Sequence, residues 1–171
     1  MRKIFQDNLT GIYNEEYIEE RFEQEIIRAN RYKKELSALL FEIDYGYFVK
    51  DRNLKAEADY AILKQFGKVI LKVRRDVDLA GRVAGNLFML ILPETSVDDA
   101  AKAAERLRSE TENYHFIGVS GEKDTKVAVN VGVVSYPKNG KTPRELMSEA
   151  KEALKEARER GGNKVVVRVN K

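Results

Sequence analysis

Apolar residues recur at helical spacing in four stretches of the chain and crowd into short runs in five others. Tyr17, Ile18, Phe22, Ile26 and Ala29 step along one face of a helix predicted over Asn14–Lys34, with Asn14 as its N-cap. Ile62, Phe66, Val69, Ile70 and Val73 do the same over Ala56–Val73. A third helix is capped by Ser96, with Asp99 three residues on as in a capping box, and is striped by Val97, Ala100, Ala101, Ala104 and Leu107. The fourth opens on Thr142-Pro143-Arg144-Glu145, which reads as an N-cap, a proline at the first helical position and a carboxylate three residues beyond the cap. Leu146, Ala150, Ala153, Leu154 and Ala157 form its buried stripe, and Gly161 or Gly162 ends it.

The short apolar runs read as strands: Leu36–Ile43, Leu79–Val83, Phe88–Leu92, Val127–Tyr136 and an edge strand at Val165–Val169. Ala84-Gly85-Asn86 joins the second and third as a hairpin turn. Tyr114–Lys126 is a polar connection with a short strand expected at His115–Val119. The resulting order is helix, strand, helix, strand, strand, helix, strand, helix, strand. It predicts an α/β fold with a mixed central sheet packed by helices. No repeat or low-complexity linker divides the chain, so residues 1–171 read as one domain with a core over about 7–169.

Composition narrows this picture. Hydrophobic residues make up 43% and charged residues 35%, as in a folded water-soluble domain. No apolar run has the length of a membrane helix, and the opening MRKIFQDNLTG lacks a signal-peptide core, so no membrane contact is expected. Without cysteine there are no disulfides and no thiolate metal sites, which fits a cytoplasmic location. A net charge of +3, spread as Lys and Arg interleaved with Glu, does not mark a nucleic-acid binder. Richness in Lys, Glu and Arg without Cys points to a thermophilic source.

Four stretches, in order, carry a family likeness: Asp7-Asn8-Leu9-Thr10-Gly11-Ile12-Tyr13-Asn14, Phe41-Glu42-Ile43-Asp44, Asn130-Val131-Gly132-Val133 with Tyr136-Pro137, and Ala153-Leu154 through Gly162-Asn163. Together they resemble the GGDEF domains of diguanylate cyclases over about Asp7–Val169. The resemblance implies a palm-like α/β domain. It also implies an ancestral reaction in which two GTP molecules condense, a ribose 3′-hydroxyl attacking an α-phosphate as pyrophosphate leaves. Metal ions serve that chemistry by neutralising phosphate and promoting the nucleophile.

The signature turn departs from that family. It reads Ala84-Gly85-Asn86-Leu87-Phe88, where active members carry a metal-binding carboxylate in the third place and a glutamate in the fourth. Magnesium demands anionic oxygen ligands; Asn86 offers one neutral oxygen and Leu87 none. The first metal carboxylate becomes Glu42, a vestige, since its partner ligands are gone. The guanine-binding pair of the family aligns with Lys50 and Asp59, the lysine and arginine that hold the triphosphate with Arg158 and Gly162, and a further phosphate-side lysine with Tyr47. The resemblance therefore implies a catalytically inactive member with no cofactor and no metal, Asp59 and Arg158 being vestigial substrate contacts.

A second family feature is kept. Arg75-Asp76-Val77-Asp78 stands where the family has its R-x-x-D product site, and Arg106, in Ala104-Glu105-Arg106, stands where it has the partner arginine. Arginine can donate two parallel hydrogen bonds to guanine O6 and N7, and a carboxylate can accept from guanine N1 and N2. Arg75, Asp78 and Arg106 are thus the expected cyclic di-GMP site. The plainer alternative makes Arg75 and Asp78 a solvated surface pair worth under ~1 kcal/mol. Two functions follow: a cyclic di-GMP receptor, able to form a homodimer around the ligand, or a nucleotide-independent dimerisation or protein-interaction module. In either, the resemblance implies other domains of a larger signalling protein as partners.

Overall fold

The run Leu36–Asp44 is buried along nearly its whole length, so a layer must cover each of its faces. A computed structural model of the chain, which describes residues 4–48, 56–118, 121 and 125–169 with backbone only at 56–59, supplies both layers. The elements run α1 (Glu15–Tyr32), β1 (Leu36–Asp44), α2 (Ala56–Val73), β2 (Leu79–Ala84), β3 (Leu87–Pro93), α3 (Val97–Asn113), β4 (Ala128–Tyr136), α4 (Pro143–Glu159) and β5 (Val165–Val167). The strands form one sheet in the order β2-β3-β1-β4-β5. It is antiparallel except where β5 runs parallel to β4. The four expected neighbours are neighbours, and the fold is the mixed α/β sheet anticipated.

Strand side chains alternate between faces, and the two cores follow that parity. Leu39, Phe41 and Ile43 of β1 join Phe88, Leu90, Val129 and Val131 beneath Ile62, Phe66 and Ile70 of α2 and Ala104 and Leu107 of α3. Leu36, Ala38 and Leu40 join Met89, Ile91 and Val134 beneath Ile18, Phe22 and Ile26 of α1 and Leu146, Ala150 and Leu154 of α4. Caps set the helix starts: Asn14 accepts from Tyr17 N, Ser96 from Asp99 N and Thr142 from Glu145 N.

Three details differ from expectation. The Glu145 carboxylate returns to the amide of Lys141, one residue before the cap. The edge strand stops at Val167, and Val169 is exposed. In place of a strand at His115–Val119 there is an isolated bridge between Phe116 and Thr125, anchored by the fully buried Phe116 ring; Val119 lies outside the described residues. No helix among the described residues is long and apolar enough to cross a membrane.

Candidate functional site

The signature turn and Glu42 meet at one end of the sheet. Glu42 lies opposite Leu87 on β3 and opposite Asn130 on β4. Its parity with Leu40 turns it to the face that α4 covers. Gly132, two residues along β4 from Asn130, lets α4 lie close on this face: a Cβ there would come within 2.7 Å of the Ala150 carbonyl oxygen. The last turn of α4 then brings Arg158 to Glu42. Its Nε donates to Oε1 and its Nη2 donates to Oε2 at 2.9 Å. These bonds, outweighing burial, hold the Arg158 guanidinium above its ordinary pKa. Asn130 Nδ2 also donates to Glu42 Oε1, at 3.3 Å, while Asn130 Oδ1 accepts from the amide of Asn163 at 2.7 Å.

Two more groups of this wall make hydrogen bonds. Asn86 Nδ2 donates to the Ile43 carbonyl at 2.7 Å, and Asp44 Oδ1 accepts from the amide of Gly46 at 3.0 Å. An open cleft of about 750 Å³ lies over these groups, lined also by Tyr45, Tyr47, Gly161 and Gly162. Tyr47 and Gly162, the two positions aligned above with phosphate-side cations, lie side by side. A Cβ at residue 162 would sit 3.3 Å from Tyr47 Cδ2, and the backbone there has φ +82°, which side chains other than glycine's rarely adopt. Both oxygens of Glu42 are bonded by a guanidinium, the Ile43 carbonyl accepts from Asn86, and Leu87 is apolar, so Asp44 Oδ2 is the one carboxylate oxygen of the cleft without a hydrogen bond among the described residues. Among the described residues no group of three or more metal-ligating His, Cys, Asp or Glu side chains gathers. Lys50 and the side chain of Asp59 lie outside the described residues.

The other candidate site sits at the opposite end of β3, about 20 Å away at the usual rise of a strand. Arg75 Nε donates to both oxygens of Asp78 at 3.2 and 3.3 Å, and Nη2 donates to Oδ1 at 2.9 Å. Nη2 donates further to Thr95 Oγ1 at 2.7 Å. Asp78 also accepts from the backbone amide of Arg75, at 2.9 Å. The Asp78 side chain is only 3% exposed while that of Arg75 is 56% exposed, so this is not the solvated surface pair of the plainer reading. It is a buried carboxylate presenting a half-exposed guanidinium. The Asp78 hydrogen bonds hold that guanidinium above its ordinary pKa. Asp99 of α3 acts on Arg75 through its charge. Arg106 is exposed and follows Asp99 by seven residues, hence on the same side of α3 and about 10 Å along it.

Two residues that the motifs did not single out hold these sites together. Thr95 stands in a stretch that reads only as a helix cap. Arg82 stands in a strand pattern that assigns it no partner. Its Nη1 donates to Asp7 Oδ1 at 3.3 Å and its Nε donates to the Gly85 carbonyl at 2.7 Å, so it ties the opening segment to the signature turn.

Comparisons with known proteins agree with this geometry. The sequence profile of a family described as diguanylate cyclase, GGDEF domain, matches residues 4–164. The response regulator PleD of Caulobacter vibrioides is 30% identical over 160 residues, which are 94% of this chain and 35% of that protein. Diguanylate cyclase DosC of Escherichia coli is 30% identical over 164 residues, 95% of this chain and again 35% of the relative. The chain thus spans about a third of the length of these relatives. Among solved structures, the GGDEF domain of DgcB from Caulobacter crescentus in complex with c-di-GMP superposes with a TM-score of 0.86 at 19% identity, covering 98% of this chain and 97% of that one. This is a likeness of fold. Diguanylate cyclase SiaD of Pseudomonas aeruginosa, solved with its activator SiaC, gives a TM-score of 0.86 at 26% identity over 98% of this chain and 63% of that one.

Proposed function

The chain belongs to the GGDEF domain family, and from that premise we propose that it is a catalytically silent member that serves as a cyclic di-GMP receptor. One observation carries the reading: the two ends of β3 have opposite characters. At the signature end, the carboxylate that would face a metal is clasped by Arg158, and Asn86 is folded back on the Ile43 carbonyl. Phosphoryl-transfer chemistry needs cations placed on phosphate oxygens, and among the described residues of the cleft the only carboxylate oxygen without a hydrogen-bond partner is Asp44 Oδ2, a single ligand where a metal ion takes several. At the other end, a buried carboxylate holds out an exposed guanidinium, with Arg106 about two helical turns along α3. The relatives named as diguanylate cyclases, and the DgcB domain solved with c-di-GMP, support that ligand class.

Two measurements test this. GTP with magnesium or manganese yields no cyclic dinucleotide on long incubation, read by chromatography; steady product formation by pure protein refutes the silence. Calorimetric titration shows saturable cyclic di-GMP binding, and Arg75→Ala weakens it by about 1–3 kcal/mol, the worth of a guanine contact by arginine. Equal binding by both proteins, or none by either, removes the receptor reading.

A second reading, a nucleotide-independent interaction module, draws on the same turn. Asp78 is so deeply buried and so fully paired that it can be read as a purely structural clasp. The titration separates the two.

A further inference from the structure

Arginine is a flexible side chain, and a ligand meets it productively only when its guanidinium is already held. The guanidinium has five N–H hydrogens. In Arg75 the Nε hydrogen is directed at Asp78, and Nη2 divides its two between Asp78 Oδ1 and Thr95 Oγ1. The two hydrogens on Nη1 are left for a ligand.

The two anchors differ in kind. Asp78 is three residues from Arg75 in the same turn, so their pair can shift with the turn as a unit. Thr95 is twenty residues away, in the connection from β3 to α3, and is 5% exposed. Its hydroxyl donates to the Pro93 carbonyl at 2.9 Å, which leaves an oxygen lone pair for Arg75. Its own carbonyl accepts from the buried Ser37 hydroxyl at 2.8 Å. The line Ser37, Thr95, Arg75 therefore ties the guanidinium to β1 at the centre of the sheet.

We propose that Thr95 is a positioning residue of the cyclic di-GMP site, its hydroxyl locking Arg75 so that the ligand meets Nη1 and the open face of the guanidinium. This rests on the receptor reading above, and it makes the free edge of Arg75 a consequence of Thr95 as much as of Asp78. The ligand group it suits is an oxygen acceptor, a guanine carbonyl or a phosphate oxygen.

The test uses Thr95→Val, which keeps shape and removes the hydroxyl, and Thr95→Ser, which keeps the hydroxyl. In the ligand-free proteins, nitrogen-15 NMR of the Arg75 guanidinium reads its rotation. Rotation is slow in the wild type and in Thr95→Ser, and fast in Thr95→Val. In cyclic di-GMP titrations the serine variant matches the wild type and the valine variant binds about 10-fold more weakly, the worth of one hydrogen bond to a charged group. A merely structural threonine would change the melting temperature but neither the guanidinium rotation nor the effect of restoring the hydroxyl. A wild type that binds while Thr95→Val matches it in affinity and rotation overturns the positioning alone, as does a serine variant as weak as the valine one. A wild type that binds no cyclic di-GMP overturns the receptor reading and this role together.

Discussion

Arg158 places a covalently attached cation on both oxygens of Glu42. The guanidinium meets Glu42 fork to fork, and the Glu42 side chain is 15% exposed, so removing Arg158 leaves a largely buried carboxylate with Asn130 as its remaining donor. Arg158→Ala is expected to cost about 1–3 kcal/mol in urea unfolding, since an abandoned buried charge loses more than a surface pair is worth. Because the positive charge is built in, the wild type should melt at the same temperature with millimolar magnesium, with manganese or with a chelator. A saturable rise in melting temperature with either ion would mean the cleft still holds metal. The same reasoning bears on repair. Asn86→Asp with Leu87→Glu should not restore turnover, because Arg158 still clasps Glu42 and Tyr47 and Gly162 bring no cation to the phosphate side. Strong cyclase activity in that double variant would show that positions 86 and 87 alone had silenced the cleft.

At the scale of elements, helix and strand identities follow from local periodicity, while their close approaches follow from single small residues. Gly67 in the middle of α2 is an example. By helix propensity alone, Gly67→Ala should stabilise by about 1 kcal/mol. The structure reverses the sign. A Cβ at residue 67 would fall 2.3 Å from the carbonyl oxygen of Thr10, whose own side chain and amide are bonded to Asp7, so neither side yields easily. The overpacking penalty outweighs the propensity gain, and Gly67→Ala is expected to lose a net 1–3 kcal/mol or so in chemical denaturation. A more stable alanine variant would show that the opening segment is not docked on α2. In the sequence Gly67 lies beside the stripe of Ile62, Phe66, Val69, Ile70 and Val73, and helix propensity alone disfavours it. The reason it is glycine lies 57 positions away in the numbering, where no periodicity can reach.

At the scale of the molecule, the sheet holds two sites apart and ties the chain's beginning to one of them. Asp7 is the tie. Burial pushes its carboxyl up, but the Thr10 hydroxyl and amide and the Arg82 guanidinium together bring it below its ordinary value of 3.8. A carboxyl lowered in the folded state adds stability that is full above its unfolded pKa and is lost as pH falls through the folded one. Asp7→Asn is therefore expected to cost about 1–2 kcal/mol at neutral pH, as charge-assisted hydrogen bonds weaken. The gap to the wild type should narrow only below about pH 4, as read from denaturation midpoints across pH. A gap that stayed constant to lower pH would mean the Asp7 charge adds nothing. The amino-acid order by itself determined the four helices and five strands seen among the described residues, and the family, because 2- and 3.6-residue periodicities, caps and motif order are local in the chain. It also put Asn86 and Leu87 at the signature turn, an amide and an isobutyl group that carry no anionic oxygen wherever they sit. Only the tertiary structure decided that Arg158 occupies Glu42, that Tyr47 lies beside Gly162, that Asp78 is buried and that Thr95 holds Arg75. Those contacts join residues 20 to 116 positions apart, and which side chains meet at such separations is set by strand register and helix docking.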